Sequence, residues 1–289
     1  MKKLLRKVFD RIFSPYFSRD LKLQTGLIPA VNKQLQILLM QKYQELLREK
    51  QPLPKFIDTE FRAFSQNGED GILLYIFSLI GMTNRIAVEV CAGNGIESNS
   101  ANLIVNHGFR GLLFDGDEKN IKTAREFFEH SKDTFVSPPK VAQAWITKSN
   151  INDLIKNNGI SGEIDLLSVD MDGVDYWIWK AINVINPRVV VVEYHEELGT
   201  EPITVPYSDN FRKAGTYFGA SLPAFTKLAR EKGYRLIGAN RQKFNGFYIR
   251  NDIAQDIFPE VSVESCLREN KPEDYTLVQE LKGHEFTQV

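Results

Sequence analysis

Five short apolar runs, at 86–91, 111–115, 141–146, 164–170 and 188–194, alternate with helical patterns at 98–107, 118–130, 150–157 and 174–183. Parallel strands need long crossovers, usually helical, and helices on both faces of a sheet make its strands continuously apolar. Leu166-Leu167 and Val189-Val190-Val191-Val192 are runs of that kind. The pattern predicts a doubly wound, mostly parallel α/β sheet with right-handed crossovers. A helix at 221–232 and two close strands at 234–239 and 246–251 add a C-terminal antiparallel hairpin, for seven strands in all. Ahead of the first strand, Ser65-Gln66-Asn67-Gly68-Glu69-Asp70 supplies cap residues and first-turn acids for a helix ending at Gly81.

The sheet region is expected over 61–252, with an N-terminal helical extension over 1–60 and a polar tail over 253–289. In the extension, 1–14 reads as a basic amphipathic helix and the stretch from Pro15 to Pro29 as a linker. Gln34–Lys50 carries Leu35, Leu38, Leu39, Tyr43, Leu46 and Leu47 at helical spacing. The tail offers one helix near Tyr275–Leu281. No apolar run approaches the roughly 20 residues that span a bilayer. Asp10, Arg11 and Asp20 interrupt any signal-peptide core, so a retained N-terminus and a cytoplasmic protein are expected. Residues 1–14 would then pack on protein or lie peripherally on the inner face of the membrane. A net charge of −1 disfavours a nucleic-acid partner, which calls for a basic surplus. The two cysteines, Cys91 and Cys266, leave no disulfide framework and fit a reducing compartment. A homo-oligomer stays open.

In open α/β sheets ligands bind outside the carboxyl ends of the strands. The first strand there runs into Gly93-Asn94-Gly95, where glycine tolerates positive φ and the following helix start leaves bare N–H donors. Glu89, inside that strand, suits a ligand with positive charge. Asp115 ends the second strand and is placed to accept hydrogen bonds from ribose hydroxyls. A dinucleotide fingerprint would want Gly or Ala where Ser98 stands, which counts against a nicotinamide-dependent oxidoreductase. That reading and a non-catalytic nucleotide-binding or scaffold protein remain the alternatives.

The order acid, Gly-x-Gly, second acid resembles class I S-adenosylmethionine-dependent methyltransferases. Glu89-Val90-Cys91-Ala92-Gly93-Asn94-Gly95 keeps their acid and two later glycines but has Cys91 at the first glycine position. Ile164 to Asp175, with Asp170-Met171-Asp172-Gly173-Val174-Asp175 at its end, resembles the fourth-strand motif of FkbM-type methyltransferases. Val190–His195, Ser65–Asp70 and Phe218–Leu222 are similar to the same subgroup, and the resemblance covers about 62–252. It implies a Rossmann-like methyltransferase fold and an O-methyltransferase acting on a hydroxyl of a sugar, glycan or sugar-bearing metabolite. It also implies a cofactor site: Ala92, Gly93, Asn94 and Gly95 at the turn, with Glu89 and Asp170 beside it. Asp115 and Gly116 would meet the ribose, the stretch from Trp145 to Asn150 the adenine, and Gln66 and Glu69 the methionine end.

A hydroxyl acceptor needs its proton removed, and a placed base typically adds about 10²–10⁴-fold. Asp172, Glu193 and His195 are the base candidates. Asp170, Asp172 and Glu193 could instead hold Mg²⁺ or another divalent cation, and acids so close to one turn also suit helix capping. The Tyr176-Trp177-Ile178-Trp179 run reads as helix packing. The long stretch 196–218, with Tyr207 and Arg212, reads as a lid over the acceptor.

Overall fold

The computed structural model describes residues 32–267, 281 and 283–289. The expectations for 1–14, for the linker over 15–29 and for a helix near 275 fall outside those residues. The chain divides into two units, Met1–Leu53 and Pro54–Val289. In the first, helix α1 occupies 32–48, two residues ahead of the 34–50 expected at each end. Among the described residues no helix is long and apolar enough to cross a membrane.

The second unit opens with α2 (Glu69–Ile80), followed by β1 (Ile86–Val90), α3 (Ala101–His107), β2 (Arg110–Asp115) and α4 (Glu118–His130). Then come β3 (Lys140–Gln143), α5 (Ile151–Asn157), β4 (Gly162–Val169), α6 (Asp175–Ala181) and β5 (Ile185–Glu193). After a short β6 (Ile203–Thr204), α7 (Leu222–Glu231) leads to β7 (Tyr234–Ala239), β8 (Asn245–Arg250) and a final β9 (Thr287–Gln288). The large sheet has the order β3-β2-β1-β4-β5-β8-β7. Its first five strands are parallel, and β8 is antiparallel to both β5 and β7. The hairpin therefore does more than close an edge: β7 is laid outermost, and β8 folds back into the gap beside β5.

Two boundaries differ from the periodicity for local reasons. β3 stops at Gln143, because after Ala144 N–H donates to the Asp115 carbonyl (2.9 Å) the chain leaves the sheet, taking Trp145 and Ile146 into a loop. β5 begins early, at Ile185, and includes Pro187. Its pairing with β8 starts only at Val189, so the missing N–H of Pro187 faces no partner strand on that side.

At the amino end of the strands, Asp165 is fully buried and accepts from the backbone N–H groups of Thr83, Asn84 and Arg85. Arg188, on the neighbouring strand, pairs with it at 2.9 Å and donates to the carbonyls of Ile80 and Gly81. One ion pair thus satisfies orphan carbonyls at the end of α2 and fixes the entry to β1. At the opposite end, β6 pairs with β9 (Ile203↔Gln288, Thr204↔Thr287), and the Tyr217 ring stacks on His284 at 4.3 Å. The end of the tail, for which the sequence offers no role, braces the long segment after β5.

Candidate active site

The β1 turn is built on left-handed backbone. Cys91 has φ +60, Gly93 φ +56 and Gly95 φ +70. Asp115 clasps it from β2: Oδ2 accepts from Gly93 N–H (3.0 Å), while Oδ1 accepts from Asp117 N–H (2.8 Å) and Asn120 Nδ2 (3.2 Å). A carboxylate offers about four lone-pair sites, so three donors leave capacity for a ligand hydroxyl. A Cβ on Gly93 would meet nothing within 4 Å, which marks it as the glycine facing open space.

Three of the expected cofactor residues are engaged within the protein itself. A Cβ on Gly95 would stand 2.9 Å from Ala124 Cβ and 3.1 Å from Phe128, so this glycine admits α4 rather than a ligand. Asn94 turns its Oδ1 into its own loop, accepting from Ile96 and Glu97 N–H (2.9 and 3.1 Å). Glu89 is buried and accepts from Asn99 N–H and Ser100 N–H, both at 2.9 Å, and from the Ser100 hydroxyl. It anchors the start of α3 and is not a bare charge beneath the ligand, although burial pushes its carboxyl above the usual range.

At the ends of β4 and β5 the acids sort themselves by partner. Asp175 is buried, and its two oxygens accept from Met171 N–H (2.6 Å) and Gly173 N–H (2.9 Å), fixing the turn that carries Asp170 and Asp172. Glu193, on the next strand, shares a hydrogen bond with Asp170. Burial and the neighbouring acids push both carboxyls well above the usual carboxylate range, and the two titrate as a pair. Asp172, left-handed at φ +52, is ion-paired with Lys213.

Lys213 Nζ also lies 3.8 Å above the Phe218 ring, whose other neighbour is the His195 ring at 4.5 Å. His195 Nε2 is 3.1 Å from Glu197, and burial lowers the pKa of its imidazole. Of the three expected bases, Asp172 lines the cleft described next, and His195 and Glu193 are not among the residues that line it or the cavity beside it. Among the described residues no three His, Cys, Asp or Glu side chains are grouped to hold a metal ion. Of the acids expected to hold a divalent cation, Asp172 is drawn to Lys213, and Glu193 is hydrogen-bonded to Asp170.

A cleft of about 660 Å³ opens at the carboxyl ends of β1, β2 and β4. It brings together Gln66, Glu69, Glu89, Ala92, Gly93, Asp115, Gly116, Trp145, Asp170 and Asp172 from the expected set, and leaves out Asn94 and Gly95. Seven carboxylate side chains and one guanidinium, Arg212, line it, which suits a ligand carrying positive charge. A second cavity of about 260 Å³ adjoins it and is walled by apolar side chains, among them Ile146, Met171, Val174 and Phe211. Its rim is Trp145, whose Nε1 donates to the Asp209 carbonyl (2.8 Å) and whose ring lies 4.0 Å from the Arg212 guanidinium. The segment after β5 thus lines the cleft with Arg212 and the second cavity with Asp209, Arg212 and Lys213.

Asn245, Asp117 and Glu97 also line the cleft and carry no sequence signal. Tyr176 and Lys180 on α6 stand at the Tyr-x-x-x-Lys spacing that one class of oxidoreductases uses. Tyr176 is buried in the core at 1% exposure and lines neither cavity, so the spacing belongs to packing.

The strand order, with a reversed strand inserted next to the last, and the acid, turn and acid at β1 and β2 define a Rossmann-like methyltransferase fold. No family model matches the chain, and no curated protein matches it. Among solved structures it is similar to magnesium protoporphyrin IX methyltransferase (ChlM) from Synechocystis PCC 6803 with bound SAM, at 9% identity and TM-score 0.40 over 63% of this chain and 77% of that one. It is similar to the METTL16 MTase domain at 13% identity and TM-score 0.41, over 71% and 76% of the two chains. The glycopeptide N-methyltransferase MtfA complexed with sinefungin is similar at 10% identity and TM-score 0.40, over 64% and 87%. At such identities and TM-scores these neighbours add nothing to what the sheet order defines.

Proposed function

We propose that the chain is an S-adenosylmethionine-dependent methyltransferase of FkbM type that methylates a hydroxyl of a sugar, glycan or sugar-bearing metabolite. The observation that carries this reading is the cleft itself: an acid-lined pocket over Gly93, clasped by Asp115, with an apolar slot beside it. The residues fit the cofactor in three places. Asp115 retains an acceptor site for a ribose hydroxyl. Trp145, Met171 and Phe211 flank a slot for a planar ring. Gln66, Glu69 and Asn245 form the polar end.

When bound, S-adenosylmethionine supplies an electrophilic sulfonium methyl. The chain's own contribution is placement and proton removal. Holding acceptor and methyl in line is worth up to roughly 7–11 kcal/mol in ideal cases. Asp170 is the base this arrangement favours: it lines the cleft, its carboxyl is raised by burial, and Glu193 keeps it hydrogen-bonded. Asp172, ion-paired to Lys213, then orients the lid. A sugar-like acceptor is supported by Arg212, which lines both cavities and carries guanidinium donors.

Calorimetric titration of the full chain with S-adenosylhomocysteine tests the reading. Binding is expected in the wild type and weaker in Asp115→Ala; no heat at millimolar ligand would remove the cofactor assignment.

A further inference from the structure

One cleft-lining residue carries a buried polar atom with no partner among the described residues. Asn245, the first residue of β8, is 5% exposed, lines the cleft, and its buried Oδ1 accepts no hydrogen bond. The rest of the residue is bolted down. Its N–H donates to Asn240 Oδ1 (3.1 Å), its carbonyl accepts from Asn240 N–H (3.1 Å), and its Nδ2 donates to Glu69 Oε1 (2.8 Å).

The way the amide faces follows from that network. Glu69 Oε1 takes a second amide donor from Asn240 Nδ2 (2.8 Å), and Oε2 takes Asn67 N–H (2.8 Å). Turning the Asn245 amide over would set its oxygen against a carboxylate oxygen and leave an N–H group stranded. Oδ1 is therefore held as an acceptor, and a buried acceptor without a donor is costly unless a ligand completes it.

The surroundings say what kind of donor fits. Gln66, Asn67, Glu69 and Asp170 line the cleft with Asn245, and the one cationic side chain in that lining, Arg212, lies over the Trp145 ring. A carbonyl oxygen amid carboxylates rejects an anion and accepts from a cationic N–H group. The insertion of β8 beside β5 places Asn245 directly opposite Glu193, so the hairpin that carries the amide also backs the Asp170–Glu193 pair.

Resting on the cofactor reading above, we infer that Asn245 is a positioning residue whose Oδ1 accepts a hydrogen bond from the ammonium group of the cofactor's amino-acid end. It would set how far that end reaches into the cleft, and thereby where the methyl group stands relative to Asp170.

The test is a protein–ligand cycle read by calorimetry on the full chain. The ligands are S-adenosylhomocysteine and its desamino analogue, with hydrogen in place of the amine. A hydrogen bond to a charged group predicts roughly 10–100-fold tighter binding of the amine-bearing ligand by the wild type. In Asn245→Ala that preference collapses: S-adenosylhomocysteine loses the same factor and the desamino analogue is unchanged. Equal weakening of both ligands in Asn245→Ala would mean a structural role only and overturn the inference, as would a preference that survives the substitution. Should Asn245→Ala fail to fold, the wild-type arm decides, since equal affinity for the two ligands overturns the inference. Failure of S-adenosylhomocysteine to bind at all defeats the cofactor reading instead, so the two failures are distinct.

Discussion

Replacing Cys91 should give an order of stabilities opposite to that of an ordinary buried position. Cys91 stands at φ +60, packs against the core and lines both cavities. A left-handed conformation costs an L-residue roughly 1–2 kcal/mol, and glycine escapes that cost. Against this, glycine's freer unfolded chain costs about 0.5–1 kcal/mol, and removing a partly buried CH₂–SH forfeits about 1 kcal/mol of burial. For Cys91→Gly the contributions nearly cancel, so its stability should lie within about 1 kcal/mol of the wild type. Cys91→Ala keeps the strain and loses the sulfur, for a loss of about 1 kcal/mol. Cys91→Val adds a branched Cβ where φ is positive and should lose a further 1–2 kcal/mol or so. Urea denaturation of the four proteins gives the order glycine and cysteine together, then alanine, then valine. If Cys91→Gly proves less stable than Cys91→Ala by 1 kcal/mol or more, the turn is not strained at this residue and the reasoning fails.

Asp165→Ala strips the buried Arg188 of its partner and frees three backbone N–H groups, so a loss of about 3–5 kcal/mol is expected in denaturant melts; a loss under 1 kcal/mol would contradict the anchoring role. Gly95→Ala should cost about 2–4 kcal/mol while leaving residual cofactor affinity in the folded fraction, because its Cβ meets α4 and not the ligand; calorimetry on folded protein checks the second half. For Asp170 the pKa is raised in the folded state, so its proton favours folding below the ordinary carboxylate range and that contribution disappears as pH climbs. Asp170→Asn should therefore match the wild type in stability near pH 4 and exceed it at pH 8, and the rise of turnover with pH should vanish with a loss of about 10²–10⁴-fold. A variant that keeps its turnover would strike Asp170 from the mechanism.

What the chain spells out locally, it spells out well. Continuous apolar runs separated by helical periods define the parallel sheet, because strand burial and helix amphipathicity are properties of neighbouring residues. The acids at the strand ends are legible for the same reason, since a strand's last residue lands at the ligand-binding edge whatever surrounds it. Their roles are not legible, because carboxylates differ only in what reaches them through space. Glu89, Asp115, Asp170, Asp172 and Glu193 read alike in sequence. In the fold Glu89 is taken by the start of α3, Asp115 is held by a turn 22 residues away, Asp172 is paired 41 residues on with Lys213, and Glu193 is hydrogen-bonded to Asp170. Cys91 reads as a departure from a glycine pattern, and only the backbone shows that its position takes the left-handed conformation. Asn245 reads as nothing at all until β8 folds back beside β5 and sets it against Glu69, 176 residues earlier. Periodicity travels along the chain and is decided by local residues; burial and hydrogen-bond partnership arise between distant segments, and they decide which acid is a cap, which a clasp and which half of an ion pair.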